Sequence, residues 1–204
     1  EAAMATELKG EKTFFMPFNQ GSNGAGEVGG AGNPQRDDDE YVTSYFWKDV
    51  LRRDVLLAIL QRFIMRQEET TISLIQDKHG KEKEISETKT KIIFPRYHQL
   101  DVVEKLIRDT EANGSGTNYL IQHSAGSGKS NSIAWLTYRL ASLHNKDNAN
   151  IFKGVFVVTD RRVLNRQLQE TILGFEHVDG TVTTITEDDS NASEKLKDSI
   201  NAEK

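Results

Sequence analysis

One run of residues constrains this chain more than any other: Ser124-Ala125-Gly126-Ser127-Gly128-Lys129-Ser130, set between the apolar stretch Asn118-Tyr119-Leu120-Ile121-Gln122 and a segment with helical spacing. Two glycines followed by lysine and a hydroxyl residue, on a strand–loop–helix path, form a nest of backbone N–H groups that favours anionic oxygens. The spacing predicts a phosphate-binding loop. Lys129 is the expected catalytic cation, with its ammonium on the β- and γ-phosphates of ATP, and the Ser130 hydroxyl is the expected ligand to Mg²⁺. Ser124, Ala125, Gly126, Ser127 and Gly128 complete the cofactor-binding set. His123 departs from the usual pattern, which has glycine or alanine there.

The flanking texture predicts an α/β architecture. A helix is expected from about His98 to Arg108, with Leu100, Val102, Val103, Leu106 and Ile107 apolar. The strand 118–122 then leads into the glycine loop. The helix after it carries Ile133, Trp135, Leu136, Leu140 and Leu143, and a second strand, Gly154-Val155-Phe156-Val157-Val158, leads to a helix with Val163, Leu164 and Leu168. Strand and helix in alternation imply a parallel sheet flanked by helices.

Upstream the order is looser. Residues 1–19 contain Thr13-Phe14-Phe15-Met16-Pro17-Phe18, read as a strand ending at Pro17. Residues 20–40 are glycine-rich and then acidic, a composition expected to form a mobile loop. Residues 41–93 read as an α+β linker region: helices capped by Thr43-Ser44 and by Asp54, then two strand-like runs, Thr71–Ile75 and Lys91–Phe94, around a charged, hairpin-like segment. Residues 94–204 form the main unit.

Two further groups invite a role. About thirty residues before the loop, Gln99 has an amide that can pair with the donor–acceptor edge of adenine, with Arg96 beside it. After the second strand, Asp160, Arg161 and Arg162 open a helix at the carboxyl end of a strand, where ligands bind in such sheets and where arginines suit a DNA phosphate track. Glu7-Leu8-Lys9 has the Glu-x-Lys form seen in metal-dependent nucleases, but only six residues precede Glu7, so it is read as a decoy.

Composition narrows the classes. With 204 residues, a net charge of −5 and no cysteine, the chain is neither a basic DNA-coating protein nor a disulfide or thiolate-metal scaffold. No apolar run approaches the ~20 residues of a membrane helix, and no secretory signal opens the chain, so a cytoplasmic location without membrane contact is expected.

Phe94-Pro95-Arg96-Tyr97-His98-Gln99, His123 through Asn131 and Val158-Thr159-Asp160-Arg161-Arg162-Val163-Leu164 together resemble the restriction subunit of type I restriction–modification enzymes. Thr13–Asn19, Gly32-Asn33-Pro34 and Thr43–Trp47 resemble the region joining that family's nuclease and motor domains, and a histidine before the loop's serine is itself family-like. The resemblance implies the first RecA-like lobe of a superfamily-two helicase motor that hydrolyses ATP with Mg²⁺ to pull double-stranded DNA, beside a nuclease, in assembly with modification and specificity subunits. It assigns Gln99 to adenine, Lys129 and Ser130 to phosphate and magnesium, and Asp160 to Arg162 to DNA. No Asp-Glu-x-His segment follows and no second lobe is present, so this stretch alone is expected not to turn over ATP. A related translocase or repair helicase without a nuclease, and a docking module that binds ATP without hydrolysis, are the alternatives.

Overall fold

The computed structural model describes residues 1–36, 40–76, 82–160, 162–175, 182–186 and 189–202. Two short strands, β1 (Ala3–Met4) and β2 (Met16–Pro17), pair antiparallel, with Ala3 opposite Pro17 and Met4 opposite Met16. A single π-type turn at Phe46–Val50 leads to α1 (Arg53–Arg62). Then come β3 (Met65–Gln76) and β4 (Glu82–Ile93), two twelve-residue strands in register from Met65 opposite Ile93 to Gln76 opposite Glu82. Four helices follow or intervene: α2 (Tyr97–Asn113), α3 (Lys129–Ala141), α4 (Arg162–Leu173) and α5 (Ala192–Asn201).

The packing of α2, α3 and α4 explains why the helical periods were legible. Val103, Leu106 and Ile107 recur on one side of α2 and are buried, as are Leu168 and Ile172 of α4. Trp135 of α3 lies in the same buried cluster. Its ring lies 5.7 Å from those of Phe63 and Phe175, and its indole N–H donates to the Phe63 carbonyl at 3.0 Å, so the polar edge of a buried ring is satisfied. Tyr138 donates to the Ile172 carbonyl at 2.8 Å and fastens α3 to α4. Arg139 and Glu104, paired at 2.7 Å with little exposure, join α3 to α2, and the guanidinium sits 5.6 Å from the centre of the Phe63 ring.

A second aromatic cluster forms upstream. Phe18 and Tyr45 both meet the Tyr97 ring edge-on, at 5.6 and 5.3 Å, and the Tyr45 hydroxyl donates to the Phe18 carbonyl. Burial, reinforced by the neighbouring Tyr97, pushes the Tyr45 phenol up to about 12.

The fold corrects several expectations. The described strands pair only antiparallel, and the expected parallel sheet is absent among the described residues. Residues 118–122 and 154–158 lie next to the elements predicted for them but carry no ladder, and Leu120 and Val158 are 96% and 90% exposed. A parallel strand is stabilised by neighbours on its edges and by cover on its faces, and these runs find neither among the described residues. Asp54 does not cap α1. Arg52 holds the N-cap position, and Asp54 sits in the first turn, receiving the Arg52 guanidinium at 2.7 Å. The run Thr13–Phe18 pairs only at Met16 and Pro17, leaving Phe14 and Phe15 exposed. The glycine-rich stretch closes on itself: Gly21 N–H donates to Gly32 O at 2.8 Å, Ser22 N–H to Gly30 O at 3.0 Å, and Gly30 N–H to the Ser22 hydroxyl at 2.7 Å.

Candidate functional site

The glycine loop turns directly into α3. Gly126 and Gly128 have φ of +72° and +80°, the left-handed region that costs a side-chain-bearing residue, and Gly128 is the N-cap residue of α3. The Gly128 carbonyl starts the helix by accepting from the N–H groups of Asn131 at 3.1 Å and Ser132 at 3.4 Å. The orphan N–H groups of a helix start therefore adjoin a loop bent by two left-handed glycines, which is the arrangement an anion needs.

Lys129, the first residue of α3, folds back over this loop. Its ammonium donates to the carbonyls of Ser124 at 2.8 Å and His123 at 3.3 Å. A lysine held, among the described residues, by two carbonyls of its own loop, and exposed, is free to exchange them for phosphate oxygens, which are stronger acceptors because they are charged. Ser130, half-buried one residue on, lies in the first turn where a metal ion beside the phosphates would meet it. Ser124, Ala125 and Gly126 are exposed, and Ser127 is buried with no partner for its hydroxyl among the described residues. The loop thus fits a phosphate chain with a divalent cation.

The first turn of α2 lies against the loop's inner side. Gln99 is only 3% exposed, and its amide is turned to the loop: its Oε1 accepts the Arg96 N–H at 2.8 Å, while its Nε2 donates to the carbonyls of Gly128 at 2.8 Å and Ser127 at 3.3 Å. His98 reaches the same Ser127 carbonyl through Nε2 at 3.0 Å, so Nε2 carries the proton. The His98 ring meets the His123 ring edge-on at 4.9 Å. Burial lowers the pKa of both imidazoles. The Arg96 charge adds to the effect on His98, against the opposing pull of the Ser127 carbonyl, and His98 and Lys129 add to it on His123.

Beside the loop lies a cavity of about 420 Å³, lined by Gly126–Gly128 and by Phe14, Lys91, Phe94 and Arg96 among others. Glu7 and Lys9, paired at 2.9 Å, also line it, so the triplet read as a decoy stands near the phosphate loop. Arg96 is exposed at the cavity and donates its backbone N–H to Gln99. Asp160 is exposed just before α4, whereas Arg161 and the side chain of Arg162 lie outside the described residues.

Compared with known families, the chain matches a family model of the SWI2/SNF2 ATPases over residues 98–204. The chain belongs to the SWI2/SNF2 ATPase family. The matched span opens at His98 and Gln99, so the residues touching the loop's inner side fall within it, as do the loop and the segment from Thr159 to Arg162. No curated protein and no solved structure matches the chain. As a member of the SWI2/SNF2 ATPases it carries a helicase-like, ATP-binding unit. Among the described residues no helix is long and apolar enough to cross a membrane.

His98 is the residue that sequence reasoning left without a role. A histidine next to a glutamine at a helix start carries no chemical signature of its own, and only the folded chain puts its ring on Ser127.

Proposed function

We propose that this SWI2/SNF2 ATPase chain is the ATP-binding part of the DNA-translocating, DNA-cleaving restriction subunit of a type I restriction endonuclease. The observation that carries the ATP-binding part is the loop 124–130, with two left-handed glycines at a helix start and a lysine resting on exchangeable carbonyls. The restriction assignment is supported by the three motif segments and the upstream runs that resemble that subunit.

In this reading Lys129 and the loop amides hold the phosphates of ATP, Ser130 holds Mg²⁺, and the base enters the adjoining cavity beside Arg96 and Gln99. Bound Mg²⁺ neutralises charge on the phosphate oxygens. Asp160, Arg161 and Arg162 track double-stranded DNA, and the modification and specificity subunits supply site recognition. A related DNA translocase without a nuclease would use the same ATP site, and the family match accommodates it. Nicking or cleavage of DNA by the intact protein separates the two.

Titration of this chain with Mg·ATP is expected to show binding that Lys129→Ala weakens at least tenfold, in keeping with the loss of a charge-assisted contact worth roughly 1.5–3 kcal/mol. Binding that is absent, or indifferent to Lys129, would remove the ATP-site reading.

A further inference from the structure

The cavity beside the phosphate loop is shared by distant stretches of the chain. Gly126, Ser127 and Gly128 line it from the loop, and Lys12, Phe14 and Lys91 line it from upstream of the family match at 98–204. Its volume of about 420 Å³ falls within the range of small-molecule sites. The charge of the lining favours an anion. Glu7 is the one carboxylate among the described lining residues, and it pairs with Lys9 at 2.9 Å, so the lining holds no counter-charge for Lys12, Lys91 and Arg96.

Phe14 adds what the cations lack, an aromatic face. Phe14 and Met16 line the cavity while Phe15 and Pro17 do not, the alternation of an extended segment. That segment is fixed on both sides. Upstream, the Thr13 hydroxyl accepts the Lys9 N–H at 2.8 Å, and the Thr13 N–H donates to the Gly10 carbonyl at 3.1 Å. Downstream, the Phe18 N–H donates to the Ala2 carbonyl at 2.9 Å, and the buried Phe18 ring meets Phe94 edge-on at 6.1 Å. Between these anchors Phe14 is 75% exposed. A single exposed phenylalanine is ordinary on a surface. One held at a cation-lined cavity that adjoins a phosphate loop offers the π-face on which a nucleobase stacks.

Resting on the ATP-site reading above, we infer that Phe14 is the base-stacking residue of the nucleotide site, so that the upstream segment and the phosphate loop hold the two ends of one ligand. Stacking leaves the edge of the base open to hydrogen-bonding groups. It adds affinity for a nucleotide and none for a bare phosphate chain.

The test titrates Mg·ATP and Mg·tripolyphosphate into this chain and into its Phe14→Ala, Phe14→Trp and Phe15→Ala variants. Loss of a base–aromatic stack predicts a roughly 5- to 150-fold weaker affinity of Phe14→Ala for ATP, with tripolyphosphate within about twofold of wild type. Phe15→Ala, a change of the same kind at a neighbour 59% exposed and outside the cavity lining, is expected to leave both affinities unchanged. Phe14→Trp restores a π-face and is expected to bind ATP at least as tightly as wild type. Its fluorescence should be quenched by ATP and not by tripolyphosphate, beyond the response of Trp47 and Trp135 in the wild-type chain. An equal loss for ATP and tripolyphosphate in Phe14→Ala overturns the inference and makes Phe14 a support of the loop. Unchanged ATP affinity in Phe14→Ala, or an equal loss in Phe15→Ala, overturns it as well. Wild-type binding that is absent or ignores Lys129→Ala would instead sink the ATP-site reading, a result distinct from each of these.

Discussion

Replacing Gly128 by alanine separates two costs that most phosphate-loop substitutions confuse. The first is conformational. At φ +80° a β-carbon crowds the following carbonyl, at a cost of roughly 1–2 kcal/mol. The second is specific to this site, since that carbon would lie 2.5 Å from the Gln99 amide and must displace it. Displacement forfeits the two bonds from Nε2 to the loop, roughly 1–3 kcal/mol together. Gly126→Ala is the internal control, because Gly126 has a similar φ of +72° but nothing within 4 Å of its added carbon. Gly128→Ala is therefore expected to weaken Mg·tripolyphosphate binding by roughly 2–5 kcal/mol, and Gly126→Ala by only about 1–2 kcal/mol. Calorimetric titration measures both. Adding Gln99→Ala to Gly128→Ala removes the obstructing amide, so the pair should couple by about 1–3 kcal/mol, well above the ~0.5 kcal/mol expected of independent sites. Equal losses at the two glycines, or additivity in the double variant, would refute the account of why glycine stands at 128.

Two further outcomes bear on the surrounding fold. His98 and His123 bind protons less readily in the folded chain than in the unfolded one, because burial lowers both pKa values. Their contribution to stability is thus present above the unfolded value of about 6.5 and falls as pH drops through it toward the lowered folded values. Melting temperatures taken from pH 7.5 to 5.5 should decline, and His98→Gln should flatten the decline; a level profile in wild type would contradict the burial of these rings. Glu104→Leu should lower stability by about 3 kcal/mol, since it strands the Arg139 charge between α2 and α3, whereas Arg108→Ala, which removes a 3.9 Å exposed contact to the same carboxylate, should change it by less than about 1 kcal/mol. Urea denaturation midpoints compare the two.

The helices and the loop were legible because their signals are local. Apolar residues at helical spacing in α2, α3 and α4 meet one core, and Gly-x-Gly-Lys-Ser carries its own conformational requirement. The strands were less so. Tyr119–Ile121 and Val155–Val158 have the composition of buried strands, but composition states a capacity for pairing and pairing needs a partner at the right edge, which the described residues do not supply. The β3–β4 hairpin ran the other way. Only the runs Thr71–Ile75 and Lys91–Phe94 were visible as strand-like, while the charged remainder of β3 and β4, which pairs in register from Met65 opposite Ile93 to Gln76 opposite Glu82, offers no alternation to read. Gln99 shows the same limit at the level of one side chain. Its type announces an amide able to read adenine, and only the placement of α2 against the loop reveals that the amide is turned to the loop.

The first turn of α2 has two neighbours. Tyr97, one residue before His98, receives the Gln20 amide on its hydroxyl at 2.9 Å and packs against Phe18 and Tyr45. Residues 18–20, at the mouth of the glycine-rich stretch, are thereby moored to the same turn whose next two side chains, His98 and Gln99, hold the Ser127 and Gly128 carbonyls. A displacement of residues 18–20 therefore bears on Tyr97, and through the same turn on the two side chains that hold the phosphate loop, so upstream chain and nucleotide pocket share three consecutive residues.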